Sequence, residues 1–425
     1  MADITIDGTS VGANRFLILD STGKIPAVDG SQVTAIAAGN IATGTIPIAR
    51  IDTGTTANKI VQLDGNAKLP ALDGSLLTNV SSSTKSASDP TISTNPSGGV
   101  GTEWQNTTSG EVYICTDATA GANIWINVGA GTGDVAPWSF QGTAYGFVTG
   151  GYPSPYKIDI ERFSFTSDGN STDVGDLSVA RFEIAGATDA NTNYGYMQGG
   201  QNGGYQNVID RFDMTAGGTA SDVGNLTNAR RTAGGSSSST HGYMGGGEGA
   251  SPVQTNIIDK FAYGSSSDST DVGDLTATGG EIGGGTSQFY GYAFGGYRGG
   301  ATDIIEKYSF STDGNATDVG NLTVARDGMG GANSSPTYVY ASGGGSTNII
   351  DKWAIATDGN ATDVGDLTAA RHHIVGMPST TYGYCAGGHG PSVNVIEKFS
   401  LSSDANATDV GDLTATKGYM GGCQY

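Results

Sequence analysis

Positive charge is scarce in this chain. Lysine and arginine total 20 against 41 aspartates and glutamates, for a formal net charge of −21. Binding to nucleic acid or to an anionic lipid surface needs clustered basic side chains, so neither is expected as a partner. Cysteine is nearly missing as well. Cys115, Cys385 and Cys423 cannot all pair within one chain and none sits in a Cys-x-x-Cys spacing, so three free, buried thiols are expected. The sequence has no apolar run of 18 residues, which leaves no candidate transmembrane helix. Its opening, MADITIDGTS, lacks the basic stretch and apolar core of a secretory signal, and synthesis in a cytosol is expected. His372, His373 and His389 show no metal-ligand spacing and read as loop residues. No metal and no cofactor is expected.

Glycine, in contrast, is abundant at 70 residues, without a Gly-X-Y triplet. That combination indicates many tight turns between short strands. The glycines belong to a repeat. The stretch 315–326, NATDVGNLTVAR, is one of six close copies whose Asp-Val-Gly cores begin at Asp173, Asp222, Asp271, Asp318, Asp363 and Asp409. The intervals are 49, 49, 47, 45 and 46 residues, a period that signals a radial or stacked array.

Residues 1–85 carry a different repeat. NRFLILDSTGKIPAVDGSQVT (14–34) matches NKIVQLDGNAKLPALDGSLLT (58–78) at an offset of 44 residues. Its apolar residues are too few to bury a core within one chain, so association with other copies is expected. These phrases resemble the shaft repeats of bacteriophage tail-fibre proteins. The resemblance implies a homotrimeric stalk that attaches to other virion proteins at its N-terminal end. In residues 86–142, the polar stretch 81–88 reads as a linker. The segment 103–128 reads as a hairpin over Thr108-Ser109-Gly110 plus a third strand, with Trp104, Tyr113 and Trp125 as its core. An aromatic sugar platform is the alternative there. Such a module resembles the neck that follows the stalk in phage fibres.

Each unit of residues 143–425 has four strand candidates. The second reads YGFVTGG (145–151), YGYMQGG (194–200), HGYMGGG (241–247), YGYAFGG (290–296), YVYASGG (338–344) and YGYCAGG (382–388). The third carries an acid-base pair, IERF (160–163) through IEKF (396–399); the fourth is the Asp-Val-Gly segment; the first is rich in small residues. Four short antiparallel strands repeated radially describe propeller blades. The last first-strand, 417–425, has no second strand after it, while the first unit begins with its second strand. The simplest geometry is a six-bladed ring in which the C-terminal strand completes the N-terminal blade. The Gly-Gly after an aromatic strand resembles kelch propellers, although the kelch tryptophan position is not kept. Repeats of the form YGYxxGG…IDKF…DGNATDVGDL also resemble those of marine bacteriophage virion proteins. The fold class expected is therefore all-β: fibre-like stalk (1–85), small β neck (86–142) and six-bladed kelch-like propeller (143–425).

Within the repeats, adjacent acid and base on a strand face opposite sides and are expected to form cross-strand ion pairs. Arg181, Arg230, Arg326 and Arg371 follow the fourth strand, with Gly279 and Lys417 at the equivalent positions. They are either hydrogen-bonded to carbonyls and to the repeat's own aspartates or a cationic ring for an acidic glycan. The Asp of Asp-Val-Gly is expected to cap a turn. The uneven segments between second and third strands all fall on one face of the ring, where repeat scaffolds carry function. They place Tyr156, Tyr205, Tyr297, Arg298 and His389 there as candidate ligand contacts. The function expected is non-enzymatic attachment of a phage virion to a host-surface glycan or protein. A purely structural fibre on capsid or baseplate and a host-glycan depolymerase are the alternatives.

Overall fold

The computed structural model describes Ser21 and residues 83–128, 139–251 and 253–425. The expected trimeric stalk and its repeat lie outside the described residues. Everything described is strand, turn or loop.

The segment 83–128 forms one four-stranded sheet. Glu103–Asn106, Val112–Asp117 and Ile124–Asn127 make the three expected strands, antiparallel to one another. Tyr113, Cys115 and Trp125 are fully buried and Trp104 packs edge-on against Trp125 at 5.8 Å. A buried Trp125 rules out the alternative of an open sugar platform built on it. The polar stretch read as a linker is corrected: Thr84–Ser86 is a fourth strand, parallel to Glu103–Asn106. It is held by backbone pairing and by the Trp104 indole donating to the Ser88 carbonyl at 2.9 Å. An exposed edge strand needs no apolar alternation, so Ser and Thr alone gave no signal.

Residues 139–425 fold into six four-stranded antiparallel sheets of propeller-blade type. The first contains Tyr145–Gly151, Lys157–Ser164 and Thr172–Asp176, and its innermost strand is the C-terminal Gly421–Gln424. Gly422 and Cys423 pair with Val148 and Phe147, so the chain's last strand joins its first blade as the strand count required. The other five run consecutively from inner to outer strand. The inner strands touch in cyclic order, from the first blade through the sixth and back. Six apolar clusters lie between neighbouring blades rather than within them. One joins Phe147 and Ile160 of the first blade to Met197 and Phe212 of the second, and another joins Tyr384 and Ile396 of the sixth to Phe163 and Phe165 of the first. Tyrosines of the second strand stack across the same gaps, as Tyr196 on Tyr263 at 5.0 Å and Tyr243 on Phe310 at 4.9 Å.

Two glycine features explain the most repeated letters. Both residues of the Gly-Gly that closes each second-strand motif have positive φ, for instance 61° and 106° at Gly199 and Gly200. Only glycine takes two such steps in succession cheaply. The glycine of Asp-Val-Gly touches the next blade: a Cβ on Gly320 would stand 2.2 Å from the Gly359 carbonyl, and one on Gly411 the same distance from that of Gly169. The Asp-Gly-Asn turn of one blade thus lies against the outer strand of the blade before it. Its Asn315 and Asn360 side chains accept the backbone N–H of Asp274 and Asn321. The Asp of Asp-Val-Gly caps its own glycine amide, at 3.1 Å in Asp318. All three cysteines are buried and free.

Candidate functional site

The repeated charges come first, because the structure removes them from the candidate list. The acid of each third strand is fully buried: Glu161, Asp210, Asp259, Glu306, Asp351 and Glu397. Each receives a cation. Arg181, Arg230 and Arg326 reach Asp210, Asp259 and Asp351 at 2.8 Å, Lys417 reaches Glu161 at 2.6 Å, and Arg371 pairs with Glu397. In each of these pairs the cation leaves the outer strand of one blade and the acid belongs to the next. The same carboxylates accept the amide of the Ser or Thr three residues before that cation, as with Thr323 on Asp351 and Thr414 on Glu161. For Glu161, burial raises the pKa, but Lys417 and the hydrogen bonds from Ser171 and Thr414 outweigh it and hold the group below its ordinary value. The cationic-ring reading fails, since these guanidinium groups have no open face. The structural reading is refined: the partner is the third-strand acid of the following blade, with added bonds from Arg181 to the Met197 carbonyl and from Arg230 to that of Met244. The acid-base pair of strand three, expected to form cross-strand ion pairs, also divides. Its acid is this buried latch. Its base reaches the turn of the next blade, as Lys260 to Asp313 at 2.5 Å, or lies over an aromatic ring, as Arg162 over Tyr145.

The third blade has Gly279 where the others have Arg or Lys. Arg298, proposed from the sequence as a ligand contact, fills the gap. It pairs with the buried Glu306 at 2.5 Å and is 5% exposed at its side chain. A Cβ on Gly279 would lie 2.7 Å from the Arg298 Cγ. Arg298 is therefore a latch residue supplied from a loop, and the ligand-contact assignment is corrected.

The remaining four candidates lie on the face formed by the loops after each Gly-Gly. Short bridges tie these loops to the crossovers that enter the inner strands: Phe182 to Gln201, Gly280 to Tyr297, His372 to His389 and Tyr152 to Gly418. Tyr156 packs on Phe182 at 4.7 Å, and Phe182 meets Tyr152 and Tyr419. His389 lies 5.2 Å from Tyr419 and 5.3 Å from His372. Tyr205 lies under the Arg231 guanidinium. These three converge on the axial mouth of the ring. Tyr297 is 42% exposed and stands at the rim, its carbonyl taken by Gln254.

The mouth itself was not legible. At the start of each inner strand stand Glu183, Thr232, Glu281, Gly328, His373 and Tyr419, all with φ between 51° and 62°. Five of the six are not glycine, a backbone strain that concentrates at functional sites. Backbone hydrogen bonds hand these positions round the axis: Thr232 to Glu183, Glu183 to Tyr419, Tyr419 to His373 and His373 to Gly328, with Met329 to Glu281 and Ile282 to Thr232 closing the circuit. Glu183, Thr232, His373 and Tyr419 line the opening of an axial cavity of about 100 Å³, whose far end meets Phe140. There Gln141 donates to the Ser334 and Ser379 carbonyls, so 139–142 already pack against the ring.

The mouth is divided by charge. Arg231 bonds Glu183 at 2.6 Å, Glu248 at 3.2 Å and Gln201 at 2.5 Å. Burial pushes Glu183 up to about 7 against the pull of Arg231, and Glu248 and Glu281 add repulsion. Burial likewise raises Glu281, helped by Asp327 and Glu248. On the other side, His373 stacks on Tyr419 at 3.9 Å. Burial, then the neighbouring His372, His389 and Arg231, depress His373 to about 3, which keeps it neutral. His372 and His373 are loop residues as expected, in the crossover before the inner strand Val375–Pro378, and from that loop His373 lines the axial cavity. A sequence signal did exist for the mouth: two residues past the crossover Arg, Gly or Lys the repeats align in position yet carry Glu, Thr, Glu, Gly, His and Tyr.

No protein-family model matches the chain, and no curated protein matches it in sequence.

Proposed function

We propose that this chain is a non-enzymatic bacteriophage virion fibre protein that attaches the particle to a host-surface glycan or protein. In this reading a homotrimeric stalk in residues 1–85 joins other virion proteins, and a six-bladed kelch-like propeller presents its loop face to the host. The observation that carries the reading is the contrast on one face. Tyr156, Tyr205 and His389, from three unlike loops, gather round the axial mouth of an otherwise uniform scaffold. Aromatic and polar groups at a concave opening suit glycan or protein recognition. The test is binding of labelled full-length protein to candidate host cells. Unlabelled protein competes, and a Tyr156→Ala/His389→Ala variant competes poorly. Equal competition by the variant refutes attachment through this face. Absence of binding to every host the phage infects would leave the structural-fibre role. Immunolabelling of intact particles assigns the protein to tail or capsid.

A second reading, cleavage of host glycan, draws on Glu183. A carboxyl raised to about 7 beside further carboxylates is the pattern of a general acid. Attachment is preferred because Arg231 holds that carboxylate at 2.6 Å. Release of reducing ends from host polysaccharide by the purified protein would reverse the preference.

A further inference from the structure

The arc Glu183–Thr232–Glu281 occupies three consecutive positions of the axial ring. Thr232 stands between the two acids, bonded through its amide to the Glu183 carbonyl and through its carbonyl to the Ile282 amide. The residue lines the cavity and is 8% exposed, and among the described residues its hydroxyl has no hydrogen-bond partner. A buried hydroxyl left unbonded costs free energy unless something else satisfies it. Charge is unbalanced at the same place. Glu183, Glu248 and Glu281 share a single guanidinium, Arg231, Asp327 adds its charge beside Glu281, and His373 is held neutral. Arg231 is already committed to Glu183 and Glu248, and Glu281 has no ion pair among the described residues; its carboxylate accepts the Gly328 amide, at 3.0 Å. Across the opening, Gly328 contributes no side chain and Tyr419 presents a ring.

We infer that the axial mouth is a binding site for a primary ammonium group, held between Glu183 and Glu281 with the Thr232 hydroxyl as its third acceptor. Three N–H donors match three acceptors. The positive charge offsets the acidic excess, and Tyr419 offers an aromatic wall to the ligand's body. Burial already holds Glu183 and Glu281 above their ordinary range, and a bound cation relieves that cost. A neutral group of the same size does none of this. The inference stands apart from the attachment proposal, since it concerns what the mouth binds whatever carries the chain.

The test is calorimetric titration of the full-length protein near neutral pH with glucosamine and with N-acetylglucosamine. The two share a ring and differ in whether the amine is charged. Glucosamine is expected to bind at least about tenfold more tightly, the value of one charge-assisted hydrogen bond. Glu281→Gln keeps an acceptor for Gly328 and is expected to weaken glucosamine about tenfold with the fold intact. Thr232→Val is expected to weaken it several-fold while the melting temperature stays level or rises, because the valine has no hydroxyl to leave unbonded. Equal affinity for the two sugars, no binding of either, or wild-type affinity in both variants would overturn the inference.

Discussion

The outer crossovers and the axial mouth are both six-fold features, and they differ in what is repeated. At the crossovers each blade buries one carboxylate against one cation. At the mouth the backbone is what repeats: six positions share a left-handed φ, yet carry Glu, Thr, Glu, Gly, His and Tyr. The latch fixes one blade against the next, and any blade lacking it would leave a charge buried and unpaired. The mouth has no such constraint, because its ring closes through main-chain hydrogen bonds. Repetition of side chains therefore marks scaffold here, and repetition of backbone with unlike side chains marks the place free to take on a ligand.

The largest effect expected from disturbing the scaffold side is loss of the last strand. Deleting 417–425 removes the inner strand of the first blade and the Lys417 partner of Glu161. Thermal melting should show loss of the cooperative transition of the ring; an unchanged transition would contradict the closure. Next come single latches. Arg326→Ala leaves Asp351 buried without its cation, and removing one partner of a buried pair costs about 3–5 kcal/mol. Arg298→Ala should cost as much, although its residue lies outside the repeat pattern; urea denaturation of the two variants checks this.

On the mouth side the effects are smaller and depend on pH. Glu183 has a folded pKa of about 7, above the value of an unfolded glutamate. Between those two values the folded chain holds a proton that the unfolded chain has lost, so this group's contribution to stability falls as pH rises. Glu183→Gln should therefore raise the melting temperature, little near pH 5 and more near pH 8. His373 acts with the opposite sign. Its folded pKa is depressed to about 3, so below the unfolded histidine value the unfolded chain binds the extra proton and stability falls with acid. His373→Asn, which tolerates positive φ, should flatten the acid side of the melting profile. The smallest effect belongs to the rim: Tyr297→Ala should change stability by no more than about 0.5 kcal/mol, as surface substitutions do.

The same contrast explains what could be read from the sequence. Blade count, strand order and closure by the C-terminal strand were legible, because the signals are local: aromatic strand, Gly-Gly, third strand, Asp-Gly-Asn turn. The turn-capping Asp was legible for the same reason. The latches were only half legible. Arg181 or Arg326 could be seen to recur, but the partner acid lies on another blade, and spacing along the chain says nothing about which. Arg298 was misread because its role is inherited from Gly279, 19 residues earlier, and no pattern shows that a loop side chain has replaced a crossover one. The mouth was hidden because positive φ at Glu183, Glu281 or His373 has no side-chain signature. Thr84–Ser86 was missed because an exposed parallel edge strand has no apolar rhythm to detect.

Scaffold and mouth meet in the fourth blade, where Arg298 and Glu281 lie 17 residues apart. Differential scanning calorimetry of Arg298→Ala beside Glu281→Gln, at neutral pH and without ligand, separates their roles most directly. Arg298→Ala is expected to melt far below the wild type, and Glu281→Gln at or slightly above it. A small shift in the first with a large fall in the second would contradict the division between latch and mouth.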